Sequence, residues 1–428
     1  MPLIKVHRPA ERTSINKATT SARAAPEPNA QEPVIKDHQW LEIMDRFATA
    51  VCSLPPKKYL GMRPDLPDEL ARDVRICLID DGVDTNHESI TECMDNTMGK
   101  AFGTYRDEEH RDLVLPFYDS TTHHGTLMAN TIVRVCPYAK IVSYRLDTGK
   151  GEDGKVHFTA KSAADVSSSS RGGTRLSFER EATANNIFSQ ALAHAANQDF
   201  DIISMSWTVK QVTDAGKDNS ADIRRLREAL HRVAEKRLVF CSPPDVGDIS
   251  VDELASYYPV GAGVKDTKKI FRIGAATPDN NTWDPVGGQH IVDYILPGES
   301  VREKTGCDVV QNDQSLNSGS SIATALAAGL AALLIHIVRM AAIHTYVENK
   351  EDPRGKHLKD LASLKSPDVM RATLNKMANK ESGKMYLHVW SWFNERSAAL
   401  ESAADLPDTE AEEKRWTIIA DLAHEILR

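Results

Sequence analysis

The chain has 428 residues, 41% of them hydrophobic and 26% charged, with a formal net charge of -9. This balance provides a sizeable core and excludes a collagen-like, wholly disordered or disulfide-scaffold protein, while the negative sign argues against nucleic-acid binding, which wants a basic surface. Six cysteines with no C-x-x-C pair, and an N-terminus without an apolar signal region, point to a reducing intracellular compartment, with the cytoplasm as the expected location.

Residues 1–35 contain five of the 20 prolines and no aromatic residue, the composition of a disordered tail. Trp40, Leu41, Met44 and Phe47 then recur at helical spacing, predicting a helix over 39–50 within an N-terminal extension and linker over 36–70. An α/β alternation follows across 71–345. Strands are expected at 75–79, 140–146, 202–207, 238–241 and 271–276, and helices at 125–135, 184–197, 221–235 and 321–340. Cys77, Cys136 and Cys241 sit in or beside apolar runs and read as small buried hydrophobes. Residues 147–174, with a serine run at 167–170, read as an exposed inserted loop.

The apolar stretch 322–338 carries Thr324 and His336 and falls short of a membrane span, so it reads as a buried core helix and no membrane contact is expected. Residues 346–428 read as a C-terminal helical extension. Its last helix, 410–427, has a stripe of Trp416, Ile419, Leu422 and Ile426 suited to packing on the domain's own core, with Thr409 and Glu412 as a capping box. The fold class expected is a three-layer α/β domain with a mainly parallel central sheet and helices on both faces.

In such a sheet, ligands gather at strand ends and helix starts. Three polar residues occupy such places. Asp80 ends the first strand, where a buried carboxylate can orient an imidazole or merely begin the turn at Gly82. His124 precedes a helix, as a base or a cap neighbour, and Gly125 beside it allows close backbone approach. Ser321 opens the apolar helix, as a nucleophile favoured by the helix dipole or as an N-cap. Together they follow the Asp, His, Ser order of one known triad type.

The surrounding residues resemble the subtilisin-like serine protease family, the subtilases, including the intracellular subtilase-like domains of filamentous fungi. Ile79-Asp80-Asp81-Gly82-Val83-Asp84, His124-Gly125-Thr126-Leu127-Met128-Ala129 and Gly319-Ser320-Ser321-Ile322-Ala323-Thr324-Ala325 resemble the three signature blocks. The stretch from Asp201 to Ser206 resembles the substrate-binding strand, and Asp293 to Gly298 the family's Ala-Pro-Gly stretch. The resemblance implies a serine endopeptidase acting on polypeptides through an acyl-enzyme. In it, Ser321 is the nucleophile, His124 the base and Asp80 the residue that orients His124. No cofactor is implied, and no carboxylate cluster matches the family's calcium sites, so no obligatory metal is expected.

The sequence also departs from the family pattern. The oxyanion hole is expected at the Ser321 N–H and at the position of a usual Asn side chain, which is Asp245 here. An ionised carboxylate cannot donate, so either Asp245 is protonated or another group donates. Asp81 replaces a usual Ser or Thr and adds a charge beside His124; Leu127 and Ala325 are further departures. The walls of the substrate pocket fall at Ser206, Trp207 and Thr208 and at Ser242, Pro243 and Pro244, with Trp207 directed either into the pocket or into the core. Three readings stay open at this point: an active endopeptidase, a weak or inactive scaffold serving as a binding or signalling module, and a hydrolase or transferase of another class. The third lacks a G-x-S-x-G elbow, a phosphate loop and a dinucleotide fingerprint. The terminal extensions offer attachment to a parent multidomain protein or a partner.

Overall fold

The apolar run from Arg75 forms strand β1 (Arg75–Asp80), which is buried on both faces and lies inside a seven-stranded sheet. The computed structural model describes residues 37–52, 54, 66–102, 105–106, 112–146, 148–150, 156–158, 187–211, 213, 220–261, 267–288, 290–305, 308–309, 316–348, 358–378, 385–403 and 406–428. The remaining strands of the sheet are β2 (Lys100–Phe102), β3 (Lys140–Leu146), β4 (Ile202–Met205), β5 (Leu238–Cys241), β6 (Ile270–Ala276) and β7 (Tyr294–Pro297). Their order is β7-β6-β5-β4-β1-β3-β2. Every neighbouring pair is parallel.

The chain thus winds to one side of β1 through β2 and β3, then to the other through β4 to β7. The C-terminal end of β1 lies at the reversal, where open α/β sheets form a crevice. β2 has only three residues, and β7 ends in a proline, so neither carries a strong strand pattern in the sequence. β4 ends at Met205, two residues before the expected end, because the chain leaves the sheet toward Ser206 and Trp207.

Nine helices of seven or more residues occur among the described residues. They begin with α1 (Gln39–Val51), α2 (His124–Val135), α3 (Ile187–Ala196), α4 (Ser220–Ala234) and α5 (Ser320–Glu348). α3 and α4 pack on each other, and α2 packs on α5. α5 is apolar around its whole circumference because it is covered on every side: it is buried from Ile322 to Ile343, against α2, the sheet and the C-terminal helices. The C-terminal helices are α6 (Leu358–Leu364), α7 (Pro367–Met377), α8 (Glu395–Ala403) and α9 (Asp408–Leu427).

Both extensions are built onto the α/β unit, and residues 36–428 form one compact body. The Ile295 amide donates to Met385 at 3.0 Å and the Leu387 amide to Ile295 at 3.3 Å, which lengthens the β7 edge. In α9, Trp416 stacks on His344 of α5 with ring centroids 4.5 Å apart. Trp40 of α1 is wholly buried and donates from Nε1 to the Leu387 carbonyl at 3.0 Å. Phe47 meets the Phe393 ring at 4.6 Å. The capping box expected at Thr409 and Glu412 is corrected: α9 starts at Asp408 directly after Pro407, whose φ of -54° suits a helix start, so Thr409 is already helical. The tail reading for 1–35 lies outside the described residues. So does most of 147–174, of which 148–150 and 156–158 form an antiparallel pair.

Candidate active site

At the end of β1, Asp80 is 1% exposed, and its Oδ1 accepts from His124 Nδ1 at 2.8 Å and from the Asp81 amide at 2.9 Å. An ionised Asp80 therefore fixes the tautomer that has its proton on Nδ1 and leaves Nε2 as the basic nitrogen. The imidazole of His124 is half-buried. Burial is the largest influence on it and favours the neutral ring, but the Asp80 charge, the Asp80 hydrogen bond and the Asp81 charge together outweigh burial and raise its pKa.

His124 opens α2 immediately after His123, which adopts φ 67°. The turn is brought against the end of β1 by two glycines. A Cβ at Gly82, where φ is +101°, would lie 2.0 Å from the Asp119 carbonyl, and one at Gly125 would lie 2.0 Å from the Gly82 carbonyl. Only glycine lets strand end, loop and helix start approach this closely. The side chain of Asp81 joins the same contact. Its Oδ1 accepts from Ser120 Oγ at 2.8 Å and the Gly125 amide at 2.9 Å. Its Oδ2 accepts from the Thr122 amide and hydroxyl, both at 2.7 Å. Burial alone would push the Asp81 carboxyl upward, but these donors hold it below the usual carboxylate range. Behind the loop, the guanidinium of buried Arg145 donates from Nη1 to the Pro116 and Asp119 carbonyls at 2.8 and 2.6 Å and from Nη2 to Thr121 Oγ1.

Ser321 is the second residue of α5 and is half-buried. The first turn of a helix has N–H groups without intrahelical acceptors, so the Ser321 N–H sits where an anion is favoured. Ser206, at the end of β4, donates from Oγ to the Ser321 carbonyl at 3.2 Å. Asp245 follows β5 and reaches the same helix start. Its Oδ2 accepts from the Ser320 amide at 2.8 Å and its Oδ1 from the Ser320 hydroxyl at 2.5 Å. Ser320 Oγ in turn accepts from the Ala275 amide at 3.1 Å. A Cβ at Gly319 would lie 3.1 Å from Ser321 Oγ and 3.7 Å from Asp245 Oδ2, so carboxylate and hydroxyl flank one glycine. Burial of its carboxyl raises the Asp245 pKa and the Ser320 donors oppose the rise. The residue is exposed, and the two Ser320 donors favour its charged form against the effect of burial.

The residues expected to wall the substrate pocket are placed differently from one another. Ser206 and Ser242 are 5% and 4% exposed, Pro243 and Pro244 are buried, and Thr208 is half-buried. Trp207 takes the core direction of the two left open by the sequence: it is 4% exposed, and its Nε1 donates to the Ile79 carbonyl at 2.7 Å, just before Asp80. Among the described residues no group of three His, Cys, Asp or Glu side chains is arranged to hold a metal ion.

Four contributors were not legible as site residues. Ser320 links Asp245 to the helix of Ser321. Ser120 and Thr122 carry Asp81; the hydroxyl-rich run before His123 was their only signal. Asp45 of α1 accepts from Arg134 Nε and Nη2 at the far end of α2, at 2.8 and 2.7 Å, and from Lys304 Nζ at 3.3 Å. Arg134 Nη1 also donates to the Arg302 carbonyl at 2.9 Å, in the hairpin that leads into Ser321.

The Asp80–His124 carboxylate–imidazole pair stands at the switch point of the parallel sheet, and Ser321 stands at the start of α5. Residues 71–388 match the model of the subtilase family, and the chain belongs to that family of serine peptidases. The epidermin leader peptide processing serine protease of Staphylococcus aureus has a similar fold: TM-score 0.51, 16% sequence identity, covering 86% of this chain and 82% of that one. A serine-to-alanine mutant of the same enzyme gives a TM-score of 0.53 at 15% identity, over 86% and 83% of the two chains. No curated protein matches the sequence.

Proposed function

We propose that this chain is a serine endopeptidase in which Ser321 attacks the scissile carbonyl, His124 takes its proton and Asp80 holds the imidazole. The observation that carries the reading is the 2.8 Å hydrogen bond between buried Asp80 and His124 Nδ1, in a chain of the subtilase family. With Nδ1 engaged, Nε2 accepts the proton of Ser321 as its Oγ bonds to the carbonyl carbon. The tetrahedral oxyanion is stabilised by the Ser321 N–H at the α5 start. The same His124 proton then passes to the leaving amine, an acyl-enzyme remains, and water activated by His124 releases the acid.

A second reading, a catalytically weak subtilase domain used for binding, draws support from Asp245. Its carboxyl group sits beside the Ser321 turn, and in its charged form it opposes charge developing on an oxyanion. Fluorophosphonate labelling of the purified full chain across pH 5 to 8, with Ser321→Ala as control, separates the two. Labelling that requires Ser321 and rises with pH as His124 loses its proton supports the endopeptidase. A folded protein that stays unlabelled throughout supports the binding domain.

A further inference from the structure

We propose that Asp81 is the positioning residue of the His124 turn: its carboxylate, gripped on both oxygens by main-chain donors on either side of His124, sets where the imidazole sits. This deepens the protease reading and depends on it for the kinetic consequences.

The distribution of donors carries the proposal. Oδ1 takes one backbone N–H, that of Gly125 at 2.9 Å, and one hydroxyl, that of Ser120 at 2.8 Å. Oδ2 likewise takes one backbone N–H, that of Thr122 at 2.7 Å, and one hydroxyl, that of Thr122 at 2.7 Å. A hydroxyl can rotate and turn acceptor; a backbone N–H cannot. The site therefore needs an acceptor at both ends. Asparagine fails in either orientation, because its amide NH2 always meets one of the two N–H groups. Serine has a single oxygen and reaches one donor at a time. Residues 122 and 125 bracket His124, and Asp81 itself is fully buried, so the four bonds fix the turn against the end of β1. Negative charge at the start of α2 is also favoured by the helix dipole.

The charged groups around His124 are few among the described residues. Asp80 and Asp81 come from the β1 end. His123 lies on its own turn, 3.7 Å from Glu303 of the hairpin, with the His87 ring 6.0 Å from it. The Arg145 guanidinium lies behind the 116–121 segment, and Asp245 stands at the α5 start. Of these, Asp80 and Asp81 are the two that favour the protonated imidazole.

The experiment compares wild type with Asp81→Asn and Asp81→Ser in the full chain. Histidine-labelled NMR titration reports His124, amide spectra report Thr122 and Gly125, and fluorophosphonate labelling is followed from pH 5 to 9. In both variants we expect labelling at pH 8 to slow at least tenfold, the acid limb of the profile to move to lower pH, and the His124 titration to move the same way. A folded Asp81→Asn with the wild-type labelling rate, profile and His124 titration overturns the proposal. If wild type does not label at all, the protease reading fails, and the His124 titration and the two amides still decide the role of Asp81. If neither variant folds, wild type decides. The Thr122 and Gly125 amides and the His124 ring must shift together as Asp81 titrates at acid pH, and independent behaviour overturns the proposal.

Discussion

The Asp245 carboxylate and the Ser320 hydroxyl are 2.5 Å apart, and the same carboxylate accepts the Ser320 amide, so Asp245 caps the helix that presents Ser321. Capping and oxyanion stabilisation make opposite demands on this group. A cap needs an acceptor; an oxyanion needs a donor. Asparagine supplies one of each: its Oδ1 accepts from Ser320 while its Nδ2 donates. Asp245→Asn is therefore expected to raise the rate of acyl-enzyme formation by about 10- to 100-fold, a share of the roughly 10²–10³ that one such donor contributes. Burst kinetics with an activated ester measure this. An unchanged or slower burst with an intact fold removes Asp245 from the oxyanion site.

Trp207 distinguishes core from pocket. Its indole bonds the Ile79 carbonyl at 2.7 Å. Trp207→Phe keeps most of the packing and leaves that carbonyl without its donor, at about 1–2 kcal/mol. The expected result is a lower melting temperature with unchanged preference among peptide substrates. A change in preference without loss of stability would put the ring back in the substrate pocket.

Asp45 bridges α1, α2 and the hairpin before Ser321. Arg134 is 8% exposed at its side chain, so removing its carboxylate partner strands a largely buried cation. Asp45→Ala is expected to cost about 2–3 kcal/mol. Asp45→Glu should recover part of it. Denaturant unfolding at pH 7 measures both, and equal stability of Asp45→Ala and wild type would show that the bridge contributes nothing.

His336 sits within α5, wholly buried and stacked on Tyr138 at 4.7 Å, and neither ring nitrogen has a hydrogen-bond partner among the described residues. Burial, helped by the charge of Arg339, pushes its pKa down to about 3. The unfolded chain binds this proton near pH 6.5 and the folded chain does not. Stability is therefore full above about 6.5 and falls as the pH drops toward about 3, by a few kcal/mol in total. His336→Leu is expected to flatten the fall in melting temperature between pH 7 and 5 and to raise stability at pH 7. Parallel curves for the two proteins would locate the acid sensitivity elsewhere.

The sequence by itself determined the parts that depend on local pattern. Alternating apolar runs set most of the parallel sheet and the core helix α5. Asp80 at a strand end, His124 at a helix start and Ser321 at the head of an apolar stretch were legible because strand ends and helix starts are marked by their immediate neighbours. Tertiary structure decided what those neighbours cannot encode. Trp207 turned inward to a carbonyl 128 residues away, Asp245 found Ser320 across 75 residues, and Asp45 took Arg134 across 89. Each is a polar group whose burial obliges it to find a complementary partner, and which partner lies within reach is fixed only when the sheet brings distant segments together.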